Sequence, residues 1–170
     1  MSPSGFVPVL VDSTSPGEGA AEEPALVVSE SIAILNFLGD AHGGGKGFVP
    51  AAGTRLRATY DQWCAYVLIE LEKPMWRIVL PTMSKTALPA EVQALEVAHW
   101  SRHIAVAAQR LDANGSGYLV GGDFTFADLL LAHVASWAVK FCGDTLEMPA
   151  QVCSSFKQFQ HLFSIKLRIH

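Results

Sequence analysis

The stretch from Gly121 to Val139 constrains this chain more than any other. Thr125 stands where a helix N-cap belongs, its hydroxyl placed to accept a backbone N–H of the first turn. Asp128, three residues on, can accept the N–H of Thr125, which makes a capping box with Asp in place of Glu or Gln. Phe124 before the cap and Leu129 at the fourth helical position have the spacing of a hydrophobic staple. Beyond the cap, Leu129, Leu130, Leu131, Val134, Ala135, Trp137, Ala138 and Val139 cover nearly every direction around the axis. A helix apolar all round is buried at the centre of a domain. The expectation is therefore a helical core packed around this segment, with Thr125 and Asp128 as structural residues. Composition agrees: half of the residues are apolar and 16% are charged, enough for a large core and contrary to disorder.

Read in order, Phe6-Val7-Pro8-Val9-Leu10-Val11 is a short β-branched run with a proline inside it, which belongs at a strand start or on an edge. Asp12 to Pro24 reads as a Ser-, Gly- and Pro-rich loop, and Ala25-Leu26-Val27-Val28 as a second strand forming a hairpin with the first. Ser29-Glu30-Ser31 opens a helix with Ile32, Ile34, Leu35 and Leu38 on one stripe, ended by Gly39 and Asp40. The connector His42-Gly43-Gly44-Gly45-Lys46-Gly47 lacks the Ser or Thr of a phosphate-binding loop. A helix capped by Gly53-Thr54 runs through Tyr60, Trp63 and Leu71, bent or ended at Pro74. Another begins at Leu88-Pro89 and stops at Asn114-Gly115. After the central helix, Val152, Phe156, Phe159 and Phe163 have the spacing of a last amphipathic helix.

Several functions are disfavoured. A net charge of −4 without a basic run leaves no footprint for nucleic acid. The longest apolar run is broken by Asp128 and His133 and is too short for a bilayer. The start has no signal-peptide pattern. Cys64, Cys142 and Cys153 share no metal-ligand spacing and read as reduced, mostly buried thiols of a cytoplasmic protein. His99 and His103 are four apart on one helix, but no carboxylate stands at matching spacing, so a surface or packing role is expected and no metal site. His133 reads as a hydrogen-bonded core histidine. The four tryptophans fall on apolar helical stripes.

Three sequence segments together resemble the glutathione transferase family. They are Val7-Pro8 at a strand start, Ser29-Glu30-Ser31 opening a helix, and Gly121-Gly122-Asp123-Phe124-Thr125-Phe126-Ala127-Asp128 before the apolar helix. Leu71-Glu72-Lys73-Pro74-Met75-Trp76-Arg77 is similar to the bend of the long first helix in one branch of that family. The resemblance implies an α+β, mostly α fold. Residues 1-42 would be a partial thioredoxin-like glutathione-binding domain, a β-hairpin plus helix. Residues 43-170 would be the all-helical C-terminal domain. It further implies a homodimer, glutathione as co-substrate, and attack of its thiol on an apolar electrophile.

By the same resemblance Val7-Pro8 is a cis peptide whose backbone pairs with the cysteinyl unit. Ser31 would receive the γ-glutamyl carboxylate at the helix N-terminus, and Glu30 its ammonium. Tyr66 and Trp76 are candidates for an apolar substrate pocket between the domains. The family's strand–helix–strand ahead of the Val-Pro element, which carries the Tyr, Ser or Cys assisting the thiol, has no counterpart here, so the chain reads as N-terminally truncated. Ser2 and Ser4 do not map to that role, and Phe156 to His170 lacks the family's aromatic-and-proline ending. The catalytic residue is therefore unassigned, and the alternatives are a non-catalytic interaction or dimerisation module of this fold or an inactive truncated product.

Overall fold

The structure, a computed structural model, describes residues 5, 7–13 and 25–163. Ser2, Ser4, Phe6, most of the expected Asp12–Pro24 loop, the side chains of Phe156, Phe159 and Phe163, and residues 164–170 lie outside that description. The chain divides into two compact units, Met1–Val49 and Pro50–His170.

In the first unit, β1 (Val9–Asp12) pairs antiparallel with β2 (Leu26–Ser29). The second strand lies one residue later than the apolar run suggests, because Ser29 pairs with Val9. Helix α1 (Ser31–His42) follows and runs past Gly39, which lies inside it; the Gly43 N–H closes the helix on the Gly39 carbonyl at 3.1 Å. Ile34 is its buried residue.

The second unit is all helical. Thr54 caps α2 (Arg55–Tyr66), its hydroxyl accepting the Arg57 N–H at 3.1 Å. The chain then widens into a π-helical turn, Val67–Glu72, before α3 (Lys73–Met83). Pro74 explains the widening. It has no N–H to give the Glu70 carbonyl four residues back, and its ring would strike that carbonyl in an ordinary helix. The turn opens instead, and the Lys73 N–H reaches five residues back to Leu68. The bend expected at Pro74 is thus spread over the six residues ahead of Lys73.

Helix α4 (Ala90–Asn114) starts after Pro89 and stops at Gly115, which takes the left-handed conformation (φ 68°) that glycine adopts without penalty. Helix α5 (Phe126–Cys142) and α6 (Ala150–Phe163) complete the unit. α5 packs against α2, α3, the π-turn and α6, which makes it the centre of the bundle.

Its cap forms as the sequence dictates. The buried Asp128 carboxylate accepts the Thr125 N–H (2.9 Å) and hydroxyl (3.0 Å), and also the Leu119 N–H (2.7 Å). Burial pushes the Asp128 carboxyl upward, opposed by these hydrogen bonds. The helix is not buried all round, however. Val139 is 60% exposed and Phe141 40% exposed, and His133 lies on the surface. Apolar identity on every side does not guarantee a neighbour on every side. Trp100, fully buried, donates its indole N–H to the Glu147 carbonyl at 3.1 Å and so fixes the approach to α6. Cys64 and Cys142 are buried, Cys153 is half-buried, and all three are unbridged. Among the described residues, no helix is long and apolar enough to cross a membrane.

Candidate functional site

The β1–β2 register brings the first group of predicted residues together. Val9 stands opposite Ser29, so one step further along the ribbon sets Pro8 beside Glu30. The Val7–Pro8 peptide is cis, as the family resemblance implies, and Val7 is 89% exposed. Glu30 is the N-cap of α1 and sits at φ 72°, a left-handed conformation rare for a residue with a side chain. Such backbone outliers concentrate at ligand-binding positions. Its carbonyl accepts the Ile34 N–H at 3.0 Å, so the helix begins despite the turn. Among the described residues no side chain caps α1. The N–H groups of its first turn and the positive end of its dipole thus lack a side-chain partner there, an arrangement suited to a carboxylate.

The other two predicted site residues have different surroundings. Tyr66, at the end of α2, looks onto α4. Its hydroxyl lies 2.7 Å from His103 Nδ1, and its ring stands 5.1 Å from that of Trp63. Burial raises the Tyr66 pKa, with Glu70 adding to it. Trp76, on α3, looks onto α5: its ring meets Trp137 edge-on at 4.7 Å. Trp137 in turn touches His133 (4.7 Å) and Phe141 (5.7 Å). His133 is thus a surface ring against a tryptophan and not a core histidine. Both tryptophans are half-buried, and Leu80 on α3 is 53% exposed. Apolar surface is accessible here, whereas the phenol of Tyr66 is engaged.

One group was missed by the sequence reading. Glu70, in the π-turn, reaches the two histidines of α4, with Oε2 3.0 Å from His99 Nε2 and 3.7 Å from His103 Nε2. The carboxylate beside the two histidines comes from the neighbouring segment and not from α4, whose Glu96 pairs with Arg77 at 2.8 Å. Its signal in the sequence is Pro74, four residues on, which forces the widened turn that holds it.

No family model matches the chain, and no curated protein sequence matches it. Solved structures do. Similar to it are a glutathione S-transferase from Xylella fastidiosa (TM-score 0.71, 20% identity, covering 94% of this chain and 71% of that one) and a beta-class glutathione S-transferase from Sphingomonas chungbukensis (0.72, 19%, 96% and 72%). So is a glutathione transferase homolog from Lodderomyces elongisporus with two GSH per subunit (0.65, 21%, 92% and 77%). No match to a sequence accompanies them, so the likeness is one of fold.

Proposed function

We propose, from the glutathione transferase fold that this chain has, that it binds glutathione on its first unit and presents the thiol to an apolar electrophile. The register that sets Pro8 beside Glu30, with Glu30 held left-handed at the mouth of α1, carries this reading. The Val7 backbone would pair with the cysteinyl unit of the tripeptide as an added strand does. Ser31 and the uncapped N–H groups of α1 would receive the γ-glutamyl carboxylate, and Glu30 its ammonium. The half-buried rings of Trp76 and Trp137 would supply apolar surface for the electrophile; of the two pocket candidates, Trp76 suits this role better than Tyr66. No residue of this chain is assigned to activate the thiol, so rate enhancement would come from holding both reactants in place. A homodimer and a cytoplasmic setting belong to the same proposal.

Calorimetry with reduced glutathione tests it. The unaltered chain should bind saturably, and Ser31→Ala should weaken binding by about 1–3 kcal/mol, roughly 5- to 150-fold. Absence of binding at millimolar glutathione would remove the proposal. Saturable binding without conjugation of an aryl halide would instead favour a non-catalytic module of this fold.

A further inference from the structure

We infer that Glu70, His99 and His103 form a binding site for a divalent transition cation of the zinc class, oriented by Tyr66. The ligand set is two imidazoles and a carboxylate, the combination borderline-soft cations prefer. Ligands on a tetrahedral ion at about 2.0–2.1 Å stand roughly 3.3 Å apart. Here Glu70 Oε2 lies 3.0 Å from His99 Nε2 and 3.7 Å from His103 Nε2, values that bracket that spacing. A ligand atom from each of the three residues falls within 4.8 Å of the others. The two imidazoles are stacked, with centroids 4.2 Å apart, which sets both rings beside the Glu70 carboxylate.

Three further observations point to a cation. His99 Nε2 is buried and has no hydrogen-bond partner among the described residues, although Glu70 lies beside it. The pair is close but not aligned for N–H···O, as when both atoms aim at a common third point. The second observation is Tyr66. Its hydroxyl donates to the His103 carbonyl (3.4 Å) and stands 2.7 Å from His103 Nδ1. In the tautomer where Nδ1 carries the imidazole proton and donates it to the phenol oxygen, the Nε2 lone pair is left on the Glu70 side of the ring. Fixing a ligating histidine through its other nitrogen is how outer partners tune metal sites. The third is the π-turn holding Glu70; such widened turns occur frequently at functional sites. The side chains are 20–35% exposed, so an ion can enter from solvent and keep a water as a further ligand.

The test is titration of the chelator-stripped full chain with Co2+, read by visible absorption, and with Zn2+ by calorimetry. One equivalent should bind with a d–d band of low-symmetry coordination. Glu70→Gln and His99→Gln should each weaken binding at least tenfold. Tyr66→Phe should weaken it about tenfold at unchanged stoichiometry. Circular dichroism of each metal-free variant separates lost ligation from lost folding, and half-exposed His99 on the surface of α4 is the substitution to rely on if Glu70→Gln unfolds. Absence of saturable binding up to about 1 mM, where affinity barely exceeds 4 kcal/mol, would overturn the inference. So would binding that His99→Gln leaves intact.

Discussion

The two units of this molecule are built in opposite ways. The helical unit buries Tyr60, Trp63, Trp100, Leu71, Met75 and much of α5. In the first unit Ile34 is the one buried residue among those described, and its sheet has two strands with Val11, Leu26 and Val27 exposed. A two-stranded ribbon is marginal by itself. The contrast teaches that packing and the proposed glutathione contacts are segregated. The bundle supplies rigidity, while Val7, Glu30 and Ser31 sit on the thinly packed part, where binding energy and local order are tied together.

Three substitutions test this division of labour. Trp100→Ala removes a fully buried ring and an indole N–H donor; about 3–5 kcal/mol of stability should go, read as a shift in the urea midpoint. A loss below about 1 kcal/mol would mean that the bundle is not the stable part.

Asp128→Asn puts an amide NH2 where three donors converge, and should cost about 1–3 kcal/mol. Its pH dependence has a definite sign. Burial raises the native carboxyl above its ordinary value near 3.8, so the folded chain holds a proton that the unfolded chain has released. Stability from this group is complete below the unfolded value and falls as pH rises through the native one. The urea-midpoint difference between the unaltered chain and the variant should therefore shrink as pH rises from about 3 toward neutrality. A difference that grew with pH would reverse the assignment.

Val11→Ala, on a strand residue 59% exposed, should change stability by no more than about 0.5 kcal/mol. A larger loss would show that the first unit buries more than this structure displays.

The sequence made local features legible and left non-local ones hidden. The Thr125–Asp128 cap, the Gly115 stop and the Thr54 start are each decided within four residues, and each formed. The Val7–Pro8 and Glu30–Ser31 pair was visible through family resemblance, but the register joining them depends on Ser29 pairing with Val9, one residue off the apolar pattern. Exposure of His133, Val139 and Phe141 was hidden because periodicity counts apolar residues and does not say what covers them. Glu70 was hidden for a different reason. Proline acts on the carbonyl four residues before it, so the distortion lies upstream of the residue that signals it, and the carboxylate partner of His99 and His103 comes from another helix.

The widened turn at Val67–Glu72 also works as an indexing device. It holds one residue more per turn than an α-helix, so the rod behaves as if a single amino acid had been spliced into it and absorbed as a bulge. Deleting one residue there would let the coil tighten into an ordinary helical turn and leave everything downstream nearly in phase with α2, because six widened residues and five ordinary ones sweep about the same angle. Trp76 would still face Trp137. A further residue that the turn could not absorb would instead rotate the downstream half by about 100°.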